Sequence, residues 1–241
     1  MVKVAFITCV NNIPLYKKCL AHLALLDKKG FEVEYIHVED SSSITRAYNK
    51  AMRSSNAKYK IYLHQDVFIV EPLFLHKIHY FFSRASSIGM IGMMGGRGLP
   101  MEKDRVMCWS DCRVVFGNVY APTINAHLKF LTDKPFERAT VIDGLLMATQ
   151  HDVPWREDII DGFHFYDKSQ SMEFNKRGLK VIVPRMEKHW VIHWCEMPDI
   201  REREYVRLKN KFLNEYRYYP QKEAKSGGKS FVFGGKRYTF I

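Results

Sequence analysis

Several things are missing from this sequence. No apolar run approaches the roughly 20 residues that a helix needs to cross a bilayer. The N-terminal stretch from Met1 to Val10 has some of the character of a signal peptide. It is short, however, is broken by Thr8, and runs into Asn11-Asn12-Ile13-Pro14 with no small-residue cleavage site. It reads as a first β-strand, and a cytoplasmic protein is expected. Cysteine is scarce: Cys9, Cys19, Cys108, Cys112 and Cys195 are five in number and scattered, so neither a disulfide framework nor a zinc knuckle is indicated. Cys108 and Cys112 are spaced to pair or to bind metal, but no second pair lies nearby, and buried thiols are expected. Also absent are the phosphate loop Gly-x-x-x-x-Gly-Lys-Ser/Thr, a Gly-x-Gly-x-x-Gly after the first strand, and a Gly-x-Ser-x-Gly elbow. These absences weigh against a nucleoside triphosphatase, a dinucleotide oxidoreductase and the plainest hydrolase.

What is present suits a folded domain. The chain has 241 residues, 46% of them hydrophobic and 14% aromatic, enough to bury a sizeable core. The formal net charge is +11, which attracts anionic partners: nucleic acid, a membrane surface or a phosphorylated substrate. Much of the excess lies between Arg201 and Lys236.

Strand and helix alternate through the first half. Val2–Val10 reads as a buried strand, and residues 14–29 carry a helical stripe at Leu15, Cys19, Leu20, Leu23 and Leu26, with Gly30 after it. Residues 31–38 form the second strand, 45–55 a helix, and 59–63 a third strand that ends in His64-Gln65-Asp66. Residues 72–84 are expected to be helical and 88–94 a strand, with Gly95-Gly96-Arg97-Gly98 a flexible turn. A hairpin is expected from 106–109 and 114–120, strand again over 138–148, a helix over 167–177 and a last core strand over 179–183. A charged helix spans 198–219, and the tail beyond it, with Gly227-Gly228 and Gly234-Gly235, is expected to be loose. Strands joined by single helices imply a mostly parallel sheet with ligands beyond the strands' carboxyl ends. Thr8, Glu39, Asp40 and Asp66 fall there.

Several of these residues suit chemistry. Asp66, at a strand end, can hold a divalent cation against a diphosphate, or cap a helix or a turn. Asp40 can bind a ribose or base edge, or cap the helix near Ile44. Asp167, in Asp161-Gly162-Phe163-His164-Phe165-Tyr166-Asp167, can deprotonate a hydroxyl or favour the positive end of its helix. His189 and His193 flank Trp190-Val191-Ile192, and His193 is either a metal ligand or structural.

Four stretches taken together are recognisable: Phe6-Ile7-Thr8; Val38-Glu39-Asp40 with Ala47-Tyr48-Asn49-Lys50-Ala51; Tyr62-Leu63-His64-Gln65-Asp66-Val67; and Ile142-Asp143-Gly144 with Phe163-His164-Phe165-Tyr166-Asp167 and Gly178. Over roughly residues 2–195 the chain resembles glycosyltransferase family 2-like enzymes of the GT-A fold, in the group related to a streptomycin-biosynthesis glycosyltransferase. The resemblance implies a single α/β domain with a mostly parallel central sheet flanked by helices. It implies that Thr8, Glu39 and Asp40 contact the nucleoside and that Asn49 supports its pocket. Asp66 matches the last carboxylate of the Asp-x-Asp metal motif, with His193 as a further ligand for Mn2+ or Mg2+. Asp143 and Gly144 line the sugar and acceptor side, and Asp167 stands where inverting members keep their base. The sequence departs from the pattern at His64 and Gln65, where acids are common, and at Ser169 and Glu173, where many relatives have Asp and Arg.

The expected activity is inverting transfer from a nucleoside-diphosphate sugar, UDP-type favoured, to a saccharide or lipid-linked acceptor in surface polysaccharide or glycolipid synthesis. No nucleic acid partner is expected. The rivals are a nucleotidyltransferase, which would be expected to carry a Gly-rich basic loop where Cys9-Val10-Asn11-Asn12 stands, and a non-catalytic nucleotide-sugar or anionic-ligand binder. The catalytic domain is placed at 1–197 and a basic extension at 198–241. Arg201, Arg203, Arg207, Lys209, Lys211 and Arg217 interleave there with Tyr205, Leu208, Phe212, Tyr216 and Tyr218. That mixture suits an anionic membrane surface or an apolar stripe packed on the domain.

Overall fold

The computed structural model describes residues 1–39, 41–98, 101–102, 105–106, 114–195, 203–216, 230–233 and 236–239. Strands β1 (Val2–Val10), β2 (Phe31–Glu39) and β3 (Tyr59–Leu63) alternate with helices α1 (Ile13–Ala24) and α2 (Ile44–Ser54). β1 pairs in parallel with both β2 and β3. Val4, Ala5, Phe6 and Ile7 are all at most 1% exposed, because a strand covered on both faces takes a continuous apolar run rather than an alternating one. β4 (Val67–Ile69), α3 (Phe74–Arg84), β5 (Ile88–Gly92) and β6 (Met94–Arg97) follow, then the short pair β7 (Met101–Glu102) and β8 (Arg105–Val106). Next come β9 (Val114–Ala121), β10 (Ala126–Phe130), β11 (Phe136–Ala139), β12 (Val141–Ile142) and β13 (Leu146–Thr149). The described chain closes with α4 (Tyr166–Lys176), β14 (Lys180–Pro184), β15 (Val191–His193), α5 (Arg203–Tyr216), β16 (Ser230–Phe233) and β17 (Lys236–Thr239).

The main sheet runs β11-β14-β5-β13-β3-β1-β2. It is mostly parallel as expected, with β13 and β11 antiparallel to their neighbours. A second sheet, β12-β6-β9-β15-β4 with β10 beside β9, lies against it. Two expectations fail here. Gly95, Gly96 and Arg97, expected as part of a turn, belong to strand β6, laddered to β9 and β12. Residues 138–148 are not one strand: the chain leaves the main sheet after β11, adds β12 to the second sheet, and returns as β13. The amides of Thr140 and Asp143 donate to Gly96 and Met94 carbonyls (2.8 and 2.9 Å), which fixes that excursion. Helix α1 stops five residues early, as Asp27 binds the Lys29 amide (2.9 Å) and its own amide binds Pro72 (2.9 Å). The stretch expected to be loose contains the antiparallel pair β16 and β17, two β-prone runs on either side of Gly234-Gly235. Cys108, Cys112 and most of the expected first hairpin strand lie outside the described residues.

Helix α5 packs on the domain. Leu208, Phe212 and Tyr216, spaced by four, are buried, so the stripe takes the packing use of the two left open. Glu173 of α4 anchors it. Its carboxylate accepts from Tyr216 Oη (3.0 Å), Arg177 Nη1 (2.7 Å) and Lys176 Nζ (3.2 Å). At the other end Arg207 and Lys211 hold Asp161 (2.5 and 2.9 Å). Burial works against the Asp161 charge, but Lys211 and Arg207 outweigh it and keep that carboxyl at about 2.

Two outcomes follow for this helix. Glu173→Ala removes an acceptor shared by the buried Tyr216 hydroxyl and the Arg156, Lys176 and Arg177 cations and is expected to lower unfolding free energy by about 1–3 kcal/mol in urea titrations; a wild-type midpoint would refute the anchor. The Asp161 pairs stabilise fully above the unfolded carboxyl value of about 3.9 and are lost as pH falls through about 2. Acid titration of Asp161→Asn should therefore show a shallower loss of stability across that window than the parent, and superimposable acid limbs would count against it.

Candidate active site

Strand β3 delivers His64, Gln65 and Asp66 into the turn before β4. The His64 amide donates to the Leu145 carbonyl (3.0 Å), and the Asp66 carbonyl accepts from the Trp194 amide (2.8 Å). Because Asp66 is followed by a strand, it caps no helix. β15 runs antiparallel to β4 with His193 opposite Val67, and this register brings a histidine from far along the chain to the carboxylate. His193 Nε2 is 3.5 Å and His64 Nδ1 3.8 Å from Asp66 Oδ1. One ligand atom from each of the three residues lies within 4.8 Å of the others. The 3.5 Å contact is an ion pair rather than a formed hydrogen bond, since Asp66 Oδ1 is buried with no hydrogen-bond partner. An imidazole pair around an unsatisfied carboxylate oxygen is a donor set suited to a divalent cation.

The electrostatics of the three groups differ, and His193 must release a proton to act as a ligand. Burial pushes the His64 imidazole down, so it is neutral and retains a lone pair. For His193 burial acts in the same direction but is outweighed by Asp66 and Cys195, which lift it to about 10. Burial raises the Asp66 carboxyl, and the two histidines more than reverse this, leaving it below the usual range. Tyr166, at the start of α4, touches His64 Nε2 through its hydroxyl. In the tautomer that donates Nε2–H to Tyr166, the Nδ1 lone pair faces Asp66.

Tyr166 reaches His64 only because residue 144 is glycine: a Cβ there would run into the tyrosine hydroxyl and ring. The Gly144 amide instead donates to Asp167 Oδ2 (3.1 Å). Asp167 Oδ1 accepts from the Lys168 amide (2.8 Å), and Lys168 Nζ lies 3.3 Å from Oδ2. This buried carboxylate therefore occupies the first turn of α4, where the helix dipole favours it. The Asp143 carboxylate accepts from the Leu145 amide (2.9 Å).

A cleft of about 400 Å³ opens beside Asp66, lined by Cys9, Val10, Asn11, Ser41, Ile44, His64, Gln65 and Phe163. Gln65, which sequence reasoning treated only as a departure, clamps its wall. Its Oε1 accepts from the Asn11 and Asn12 amides (3.0 and 2.9 Å). Thr8 is buried at 1%, two residues short of the end of β1, and Cys9 to Asn11 line the cleft in its place. Glu39 ends β2 exposed, 3.2 Å from His37. Asp40 lies outside the described residues, and the cap of α2 is Ser43, which binds the Arg46 amide (3.2 Å). Asn49 is buried and exchanges two 2.9 Å hydrogen bonds with the Trp155 backbone, a supporting place behind the cleft. His189 lies elsewhere, against the rings of Tyr120 and His127.

No curated protein matches this chain in sequence. The mannosyltransferase PcManGT of Pyrobaculum calidifontis, solved with GDP-Man and Mn2+, is similar in structure with a TM-score of 0.53 at 12% identity, over 93% of this chain and 65% of that one. TarS of S. aureus, residues 1–349 with UDP-GlcNAc, has a TM-score of 0.53 at 10% identity, over 83% and 60%. The chain thus spans less than two thirds of each, and at these identities the likeness is one of fold, that of the GT-A transferases. In sequence, residues 5–216 match the profile described as a glycosyltransferase-like family. By the extent of that match, the chain belongs to the glycosyltransferase-like family.

Proposed function

We propose that this chain transfers a sugar from a nucleoside-diphosphate sugar to a hydroxyl acceptor with inversion, and that Asp66, His64 and His193 hold a divalent cation, Mn2+ or Mg2+, on the donor side. The observation that carries this reading is the buried, unsatisfied Asp66 Oδ1 between two imidazoles at the edge of a cleft beyond the strand ends. A bound cation would supply charge neutralisation for a departing diphosphate. His64 is held by Tyr166 and His193 by the β4–β15 ladder, so the donor set needs little rearrangement. The Gln65 clamp on Asn11 and Asn12 keeps the nucleoside wall of the cleft in place.

Asp167 is the proposed base. The Gly144 amide and Lys168 fix its orientation, and it follows Tyr166 directly, which ties it to the donor side through His64. As the acceptor oxygen bonds to the anomeric carbon, Asp167 takes the hydroxyl proton. The bond from that carbon to the diphosphate oxygen breaks, and the nucleoside diphosphate leaves with the electron pair. Saccharide and lipid-linked hydroxyls both fit this chemistry. PcManGT binds GDP-Man and TarS binds UDP-GlcNAc, so a donor panel should include both bases.

Asp66→Ala should fold normally, lose calorimetrically detected Mn2+ binding and drop donor turnover by roughly 100-fold or more. Transfer at the parental rate would end the cation assignment. Asp167→Asn should bind donor with unchanged affinity while kcat falls by about 10²–10⁴; a kcat equal to the parent's would remove it as the base.

A further inference from the structure

Phe163 lines the cleft and is 44% exposed, yet the segment that carries it is tethered at nearly every residue. Asp161 is held by Arg207 and Lys211 of α5. The Gly162 carbonyl accepts from the Ile44 amide at the start of α2 (3.2 Å), and a Cβ on Gly162 would enter the Glu204 carboxylate. That carboxylate accepts from the Phe163 amide itself (3.1 Å). Beyond it, the His164 ring meets Tyr205 at 5.2 Å and Phe165 packs on Tyr205 and Phe212 (4.9 and 5.6 Å). Phe165 is in the left-handed region, φ 63°, a conformation that bulky L-residues seldom keep unless their surroundings impose it. An apolar ring left half in water on so rigid a support is arranged to meet something flat.

Its companions in the cleft say what. His64 and Asp66 belong to the lining, where a diphosphate would lie. Cys9, Val10, Asn11 and Ser41 form the rest of the wall, and the Gly162–Ile44 hydrogen bond ties the Phe163 segment to the start of α2, next to Ser41. We infer that Phe163 is a stacking platform for the nucleobase of the donor, and that α5 holds it there through Glu204. The inference rests on the nucleotide-sugar reading above. It assigns a positioning role to a helix whose sequence suggested only charge and packing, and makes Glu204 a positioning residue.

Calorimetric titration of the full chain with UDP, GDP and inorganic pyrophosphate, in the presence of Mn2+, tests it. Phe163→Leu should weaken the better-bound nucleoside diphosphate by roughly 5- to 100-fold, the range of aromatic–base stacking. Phe163→Trp should bind it at least as well as the parent. Pyrophosphate, which has no base, should bind all three proteins alike, and thermal midpoints should agree because the ring is exposed. Glu204→Ala should give the same split in weaker form. Equal nucleotide binding by Phe163→Leu, or an equal loss for pyrophosphate, overturns the stacking role while the donor reading stands. An unchanged Glu204→Ala overturns the strut. A parent that binds none of the three ligands refutes the donor reading itself and this inference with it.

Discussion

The turn between β3 and β4 buries a carboxylate oxygen with no hydrogen-bond donor, an arrangement that proteins avoid unless the surroundings are built to sustain it. Here they are. The His193 imidazole stands close enough to offset the charge without capping the oxygen, and the neutral His64 stands beside it. The carbonyl of the same residue accepts from the Trp194 amide, which fixes the Asp66 backbone at the junction of β4 and β15. Much else in the fold stands behind this geometry. Tyr166 steers His64, Gly144 makes room for Tyr166, and the excursion of the chain through β12 places Gly144 beside α4.

The same economy joins the far end of the chain to the cleft. α4 faces the site with Tyr166 and Asp167 and faces α5 with Glu173 and Ser169, whose hydroxyl lies 2.9 Å from that of Tyr216. Ser169 and Glu173 together form a buried polar contact with Tyr216 of the last helix. One short helix thus serves two neighbours, and α5 is a buttress of the site rather than an appendage.

The alternating strands and helices of the first half were legible because β1 and β3 are nearly continuous buried runs and α1 and α2 carry apolar stripes behind the Asn12 and Ser43 caps. The middle was less so. Met94–Arg97 carries two glycines, which read as a turn, yet their backbone groups pair on both sides and the ladder decides. Residues 138–148 read as one strand because periodicity does not show a chain changing sheets. Among the site residues, Asp66 was visible from its position at a strand end. Its partners were harder to see: the His193 contact depends on an antiparallel register that no local pattern specifies. Gln65 and Tyr166 act through hydrogen bonds to distant backbone and ring atoms. Thr8 illustrates the opposite limit: the strand was read to its observed end at Val10, yet Thr8 lies two residues inside that end and is buried, and the cleft is lined by Cys9, Val10 and Asn11.

The position of β13 has a consequence for how the chain must come together. This strand inserts antiparallel between β3 and β5, and among the described residues it is the strand that joins the βαβ start of the molecule to the β5–β14 half of the main sheet. Until residues 146–149 have been synthesised and inserted, β3 and β5 each present an open edge to solvent, and open edges invite pairing with other chains. Contacts of such long sequence separation form late. A ribosome-bound chain that stops short of Leu146 therefore has β1, β2 and β3 to pair with one another, while β5 still lacks both its neighbours, β13 and β14, and nothing has yet been made to close over Asp66.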